Sequence, residues 1–200
     1  FHAALLQWYD AEARDLPWRR TQDPYCIWLS EIMMQQTRID QGTPYYERFL
    51  KRFPDLQTLA QATEEAVLKQ WEGLGYYSRA RNLYRTAQIL TDQYHGRFPG
   101  MGKYPAGAIA SIAFGVPVPV LDGNIKRVLA RLYALVESID LPATDKRLWE
   151  LAAATLNVKR PGDHNQAMME LGARVCIPAG PLCFSCPVQR HCRAFSASLQ

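Results

Sequence analysis

Apolar residues recur at three- and four-residue intervals along much of this 200-residue chain, and this spacing places them on one face of an α-helix. The pattern is clearest over residues 76–94 and 125–136, where basic residues occupy other faces. Alternation typical of a strand occurs only at residues 116–120, where two prolines disfavour a strand. The sequence therefore predicts an all-α protein. Further helices are predicted over residues 2–13, 25–39, 44–52, 63–71, 106–114, 145–157 and 163–175.

The composition is that of a globular chain, because 48% apolar residues are enough to bury a core. A formal net charge of +4 permits a polyanionic partner without requiring one. Residues 76–103 hold five basic residues against the single acid Asp92, an excess that suits either a docking surface or a solvated helix face. No apolar run reaches the roughly 18 residues that cross a bilayer, and no basic segment leads into an apolar core at the start. We therefore expect an intracellular protein without a membrane partner, in the cytoplasm or nucleoid if the cell is bacterial.

Four of the five cysteines lie close together, in the spacing Cys-x6-Cys-x2-Cys-x5-Cys. Four thiolates in one short loop can close around a single metal centre. Disulfides are disfavoured inside cells, and zinc sites often pair two Cys-x2-Cys knuckles, whereas only one such pair occurs here. An iron-sulfur cluster is the favoured interpretation, with zinc and disulfides as alternatives. Its ligands would be Cys176, Cys183, Cys186 and Cys192.

The stretch HGRFPGMGKYPAGAIAS, residues 95–111, places two glycines just ahead of a helical segment. It fails both nucleotide-binding patterns, since Arg97 stands where a Walker loop needs glycine and Pro105 stands where a dinucleotide fingerprint needs one. Gly100 and Gly102 enclose one apolar residue, and such a hairpin presents unhindered N–H groups and a helix N-terminus to a phosphate. The alternative is that these glycines simply end one helix and start the next.

Five motifs, read together and in order, resemble the MutY-type adenine DNA glycosylases of the endonuclease III superfamily. They are LSEIMMQQT at residues 29–37, GLGYYSRARNL at 73–83, the helix-hairpin-helix stretch, LDGNIKRV at 121–128 and the four-cysteine loop. The resemblance implies an all-α fold of two helical lobes. One lobe would be a six-helix domain at 23–130, and the other an iron-sulfur domain formed by 1–22 and 131–200. The cysteine spacing matches the family's 4Fe-4S pattern.

Cleavage of an N-glycosidic bond to adenine needs an acid for the departing base and a negative charge for the cationic sugar. Glu31 lies in an apolar stretch, where desolvation would raise its pKa and retain a proton. Asp122 precedes a helix whose N-terminus favours an ionised carboxylate. From the residues alone, a surface glutamate and an ordinary helix cap are the alternatives. The resemblance implies that Glu31 protonates the adenine ring and later handles the water, while Asp122, held by Asn124, stabilises the sugar carbon.

The resemblance also assigns residues that open the duplex, because adenine must leave the base stack before the bond is broken. Gln36 and Tyr76 match wedging positions at the lesion. Six further residues match positions that line the adenine pocket or hold the DNA backbone: Trp18, Arg19 and Gln166 for the pocket, and Gly100, Gly102 and Lys103 for the backbone.

Tyr104 occupies the position at which lyase members of the superfamily carry a lysine whose amine attacks the sugar. The resemblance therefore implies a monofunctional glycosylase. Near this position, a short helix of the family pattern is missing, and Pro105 replaces a threonine and removes one N–H. We therefore expect weaker DNA binding than in relatives. The sequence given also ends after the cysteines, before the second domain with which family members recognise 8-oxoguanine, so the preference for that lesion stays open.

The sequence thus predicts a monomeric, monofunctional DNA glycosylase with a 4Fe-4S cluster, which removes adenine mispaired with 8-oxoguanine or guanine in double-stranded DNA. A thymine or uracil mismatch glycosylase on the same scaffold is the first alternative, since hairpins with tyrosine at this position occur there too. A DNA-binding or damage-scanning module that has lost catalysis is the second.

Overall fold

The computed structural model describes residues 1–95 and 103–199, without the side chains of Lys103 and Tyr104. All regular structure in these ranges is helical, which confirms the all-α prediction. No helix in them has the length and apolar content that crossing a membrane requires. The α-helices are α1 (His2–Glu12), α2 (Pro24–Met33), α3 (Ile39–Arg52), α4 (Leu56–Ala60), α5 (Glu64–Trp71), α6 (Ser78–Tyr94), α7 (Lys103–Phe114), α8 (Gly123–Leu132), α9 (Pro142–Thr155), α10 (Pro161–Arg174) and α11 (Arg193–Ser196). Short 3₁₀ turns cover Pro17–Arg19, Cys183–Ser185 and Gln189–His191.

Three helices begin with proline at their first position: Pro24 in α2, Pro142 in α9 and Pro161 in α10. Proline is favoured there because the first N–H of a helix has no partner within the helix, and because the proline ring holds φ near the helical value. α9 and α10 therefore begin slightly before the predicted starts at residues 145 and 163.

The helix predicted over residues 25–39 is wrong beyond Met33, where α2 ends. Gln36 adopts a φ of +53°, in the left-handed region that interrupts an α-helix. Ile39 then opens α3. The apolar pattern conceals this break because Met33 and Met34 continue the helical spacing into the turn. The turn leaves Gln36 exposed between two helices.

Residues 15–109 form one compact unit around an aromatic core. Phe49 packs against Phe53 with ring centroids 5.0 Å apart and against Trp71 at 6.1 Å. Trp28 and Tyr46 are also fully buried. Around this core, α6 contacts α4 and α5, while α3 contacts α2 and α5. The core thus supports both the turn after α2 and the turn before α6.

Residues 1–14 and 110–200 form the second compact unit, in which α10 contacts both α1 and α8. Gly172 permits the close approach of α8, because a Cβ at this position would lie 2.6 Å from the Asn124 Cβ. This contact draws α8 into the second unit. The units therefore divide the chain at 14/15 and 109/110, whereas the sequence placed the domain boundaries at 22/23 and 130/131.

A buried ion pair ties the N-terminal segment to α10. Glu170 is only 1% exposed, and its two carboxylate oxygens accept hydrogen bonds from Arg14 Nε at 2.8 Å and Nη2 at 2.7 Å. This bidentate geometry is the strong form of an arginine-carboxylate pair. It holds residues 1–14 in the same unit as the C-terminal half of the chain.

We predict that His164 makes the protein less stable in mild acid. The imidazole is 2% exposed, and its Nδ1 has no hydrogen-bond partner within the described residues. Burial, reinforced by the charge of His2, lowers the pKa of His164 from 6.5 to about 4. The unfolded chain therefore binds a proton at a higher pH than the folded chain, and the free energy of unfolding falls as pH drops through this window, by about 3 kcal/mol between pH 7 and pH 4.

Urea unfolding at these two pH values, compared between the wild type and His164→Phe, measures this contribution. The phenylalanine variant should lose less stability on acidification, whereas His95→Gln, at an exposed position, should behave like the wild type. An identical pH dependence in wild type and His164→Phe would contradict the prediction.

Candidate functional site

Asp122 caps the N-terminus of α8 and is held by two hydrogen bonds within its unit. Its Oδ1 accepts the backbone N–H of Ile125 at 2.7 Å, and its Oδ2 accepts Asn124 Nδ2 at 3.0 Å. The backbone of Asp122 is extended, as expected of an N-cap residue. Asp122 is thus the N-cap of α8, and Asn124 lies beside its carboxyl group.

Arg127 extends this arrangement from Asp122 to the cysteine loop. Its Nη2 donates to Asn124 Oδ1 at 2.8 Å and to the Gly172 carbonyl at 2.7 Å. Its Nε donates to the Cys176 carbonyl at 2.7 Å. Because the Asn124 oxygen accepts from Arg127, the Asn124 amide nitrogen is turned towards Asp122. Sequence analysis missed Arg127, although its position three residues after Asn124 on one helix was an available signal.

Burial raises the pKa of Asp122 above its ordinary value of 3.8. The hydrogen bonds from Ile125 and Asn124 and the charge of Arg127 act in the opposite direction but offset only part of this effect. The sequence predicts that the helix N-terminus favours the ionised form, and in the structure burial outweighs that contribution. A carboxylate in such a place interacts strongly with a nearby cation, because little water screens it.

Glu31 lies in the second half of α2 and is half-buried. The other buried residues of this part of the helix surround it along the chain: Ile27, Trp28, Leu29, Ser30 and Met33. The apolar stretch expected from the sequence is thus mostly buried, while Glu31 keeps partial exposure. Glu31 belongs to the unit of residues 15–109, and Asp122 belongs to the other unit.

Gln36 and Tyr76 share an unusual backbone conformation. Their φ angles are +53° and +48°, in the left-handed region that residues other than glycine rarely adopt. Both side chains are exposed, Tyr76 to 61% of its surface. Gln36 lies between α2 and α3, and Tyr76 lies just before α6, so both occupy turns of the same unit.

The predicted pocket residues are divided between the two units. Trp18 and Arg19 lie in the 3₁₀ turn Pro17–Arg19, where the Trp18 ring meets Tyr46 edge-on with centroids 5.1 Å apart. Gln166 is half-buried in α10 of the other unit. Trp18 therefore also packs against the aromatic core of its unit.

The hairpin predicted to hold the DNA backbone lies mostly outside the described residues. Gly100 and Gly102 fall in the undescribed range. Lys103 and Tyr104 open α7, but their side chains are outside the description. The roles assigned to these four residues therefore stay predictions.

The four clustered cysteines are all free thiols and half-buried, which excludes disulfides among them in this structure. Burial, and to a lesser degree the other three cysteines, raise the pKa of Cys186 to about 11. A cationic centre would stabilise the thiolate forms of these cysteines, which are the forms that bind metal. In the described ranges, no group of three or more His, Cys, Asp and Glu side chains is placed to hold a metal ion.

Arg131 of α8 anchors the cysteine loop. Its Nη1 donates to the Ile177 carbonyl at 2.7 Å and lies 3.4 Å from Cys176 Sγ, and its Nη2 donates to the Pro178 carbonyl at 2.9 Å. The Cys192 thiol in turn donates to the Arg131 carbonyl at 3.5 Å. The first and last cysteines are thus both fastened to one residue of α8.

Comparison with known proteins finds a family match over residues 29–154, to the HhH-GPD superfamily base excision DNA repair proteins. Adenine DNA glycosylase from Homo sapiens is 45% identical over 97% of this chain and 39% of its own length. Adenine DNA glycosylase from Buchnera aphidicola subsp. Baizongia pistaciae is 40% identical over 98% of this chain and 58% of its own length. The chain therefore spans about two fifths to three fifths of these relatives.

Two solved structures share the fold. A thermostable thymine-DNA glycosylase is 28% identical, with a TM-score of 0.86 over 98% of this chain and 94% of its own. Endonuclease III, in a non-covalent complex with DNA, is 19% identical, with a TM-score of 0.77 over 99% of this chain and 96% of its own. At that identity, the second likeness concerns the fold alone.

Proposed function

Because the chain belongs to the HhH-GPD superfamily of base excision DNA repair proteins, we propose that it removes adenine mispaired with 8-oxoguanine or guanine in double-stranded DNA. The main support for this substrate is the similarity to adenine DNA glycosylases over nearly the whole chain. The net charge of +4 suits a polyanionic partner. On this proposal, the protein acts inside the cell, where its DNA substrate lies, and as a monomer.

The two carboxyl groups would divide the chemistry between them. Glu31, partly desolvated on α2, donates its proton to a ring nitrogen of adenine, so the base leaves as a neutral molecule with the electrons of the glycosidic bond. Asp122 stabilises the positive charge that develops on the sugar carbon. Water then adds to that carbon, and the Glu31 carboxylate takes the released proton. The hydrogen bonds from Ile125 and Asn124 keep the Asp122 carboxylate in one orientation.

The remaining predicted residues would bind and open the DNA. Gln36 and Tyr76 are exposed on turns, as wedging residues need to be in order to enter a base stack. Six residues complete the proposed binding surfaces: Trp18, Arg19 and Gln166 for adenine, and Gly100, Gly102 and Lys103 for the backbone. Tyr104 stands where a lyase would have lysine, so no amine at this position attacks the sugar.

A 4Fe-4S cluster would be held by Cys176, Cys183, Cys186 and Cys192. Thiolate is the ligand that such clusters take, and all four cysteines are free and half-buried. When bound, the cluster would supply a positively charged core that fixes the loop. Arg131 already holds Ile177 and Pro178 beside the first cysteine.

We expect Cys186→Ser to lose the cluster and Cys26→Ser to keep it. Protein purified without oxygen should be brown, with iron and sulfide in the ratio of the cluster, and the colour should disappear only in the first variant. Cys26, half-buried in α2 and remote in the chain from the loop, is the matched control. Colourless wild-type protein carrying stoichiometric zinc would contradict the proposal.

The experiment that tests the function is single-turnover base release from duplexes containing 8-oxoguanine·A, G·A, G·T or G·U. We expect adenine release from the first two duplexes. Strands analysed with and without alkali distinguish a monofunctional enzyme, since such an enzyme leaves the backbone intact until alkali is added. Release of a pyrimidine without adenine would refute the proposal.

A thymine or uracil mismatch glycosylase is the second candidate, and the fold of the thermostable thymine-DNA glycosylase favours it. The G·T and G·U duplexes test it directly. A third outcome, binding without release of any base, would identify a damage-scanning module.

A further inference from the structure

Arg79, the second residue of α6, forms several hydrogen bonds to the Gln36 turn. Its Nη1, whose two hydrogens are shared, lies within hydrogen-bond distance of the Met33 carbonyl at 2.9 Å, the Gln35 carbonyl and Thr37 Oγ1 at 3.1 Å. These acceptors lie on both sides of Gln36 in the chain. One guanidinium nitrogen thus closes the turn that presents Gln36.

The same guanidinium also contacts the turn that presents Tyr76. Its Nη2 donates to the Gly75 carbonyl at 3.3 Å, and its central carbon lies 5.3 Å from the Tyr76 ring centroid and 5.4 Å from that of Trp71. The Trp71 indole N–H also donates to the Gly75 carbonyl, at 3.0 Å. Arg79 therefore forms hydrogen bonds to the turn of Gln36. It also forms a hydrogen bond to the turn of Tyr76 and stacks on the Tyr76 ring.

The two turns need such support because Gln36 and Tyr76 are strained. A residue other than glycine is strained in the left-handed region and persists there only where its surroundings hold it. Both side chains are exposed, so apart from the contact between Arg79 and the Tyr76 ring, their own contacts supply little of that restraint. Arg79 supplies it through the neighbouring backbone.

The guanidinium of Arg79 bonds to acceptors of the protein itself, which distinguishes Arg79 from an ordinary DNA-binding cation. Its Nε is buried without a hydrogen-bond partner in the described part of the chain. Burial lowers its pKa. The donors of Nη1 are already engaged with acceptors of the protein.

We propose that Arg79 is a positioning residue that fixes Gln36 and Tyr76 relative to each other, so that both enter the base stack together when the target base is extruded. This inference rests on the proposed function. Lysine cannot replace Arg79, because a single ammonium group lacks the planar fork that bonds to one turn while stacking on the other.

The test compares Arg79→Lys with Arg85→Lys, since Arg85 is an exposed arginine of the same helix. In a Glu31→Gln background, 2-aminopurine next to the mismatched adenine reports unstacking by its fluorescence. We expect the fluorescence rise to fall severalfold in Arg79→Lys and to be unchanged in Arg85→Lys. Binding to undamaged duplex should stay within about twofold, because phosphate contacts dominate it.

A second comparison separates positioning from a merely structural role. With Glu31 intact, Arg79→Lys should slow adenine release from a stacked mismatch by about 10- to 100-fold, because small misplacements carry such effects. A bulged adenine is unpaired and therefore costs less to extrude, so its release should be slowed much less. Equal slowing on both substrates, or slowing on neither, would overturn the proposal.

A second variant and a second readout cover the cases in which Arg79→Lys does not fold or the wild type releases no adenine. If Arg79→Lys does not fold, Thr37→Val removes only one acceptor of Arg79 and should show the same substrate difference in weaker form. If the wild type releases adenine from no substrate, the proposed function fails, while the fluorescence comparison still decides the role of Arg79. An undiminished fluorescence rise in Arg79→Lys would then refute it.

Discussion

Replacement of Glu31 by glutamine is expected to slow adenine release by about 10²- to 10⁴-fold, the range that general acid catalysis contributes. Glutamine keeps the size and polarity of the side chain but cannot protonate the leaving base or accept a proton from water. Because Glu31 is half-buried on a helix whose buried face is untouched by this change, the protein should remain folded. Single-turnover release from an 8-oxoguanine·A duplex measures the effect.

The matched control is Glu47→Gln, at an exposed position of α3 in the same unit. It should release adenine at the wild-type rate, and both variants should bind the duplex as tightly as the wild type. A Glu31→Gln enzyme that works within tenfold of the wild-type rate would show that another group supplies the proton.

Asp122→Asn should slow release by about 10²- to 10³-fold, as the loss of one electrostatic stabiliser commonly does. Asparagine can still accept the Ile125 N–H, so the cap of α8 survives. Its new amide group, however, faces the Asn124 amide, and Asn124 cannot turn round without releasing Arg127. The variant loses the negative charge and also places two donors against each other.

The thermal stability of Asp122→Asn should distinguish a catalytic role of Asp122 from a structural one. Burial raises the pKa of Asp122, which means that the folded protein holds the ionised carboxylate at an energetic cost. Removal of that charge offsets the loss of the Asn124 hydrogen bond, so the thermal midpoint should change little. Asp145→Asn, which breaks a partly exposed ion pair with Lys126 in the same unit, is the control with normal activity. A large fall in the thermal midpoint of Asp122→Asn would instead indicate a structural role.

Much of the fold could be predicted because the spacing of apolar residues in an amphipathic helix shows which face of the helix packs against the core. α6 and α8 follow the apolar pattern closely. The break after Met33 could not be predicted, since Met34, Gln35 and Gln36 are all residue types that form helices well. The packing of α8 against α10 could not be predicted either, because it depends on Gly172, and a single glycine leaves no periodic pattern in the sequence.

A motif names some candidate residues directly, as for Asp122, Asn124 and the four cysteines, and their roles stay proposals. Arg127 and Arg79 escaped notice because the sequence shows them only as basic residues among others. Their partners, the Cys176 and Gln35 carbonyls, lie 49 and 44 residues away in the chain. No local pattern records which carbonyl groups a guanidinium will meet.

By itself, the sequence determined the helical class, the chemical type of each candidate residue and the spacing of the thiols, since these depend on neighbours along the chain. Only the tertiary structure decided that burial outweighs the helix N-terminus at Asp122, that Arg127 joins this carboxylate to the cysteine loop, and that one guanidinium contacts the turns of both Gln36 and Tyr76. The physical reason is that desolvation and hydrogen-bond partners are set by groups brought together from distant parts of the chain.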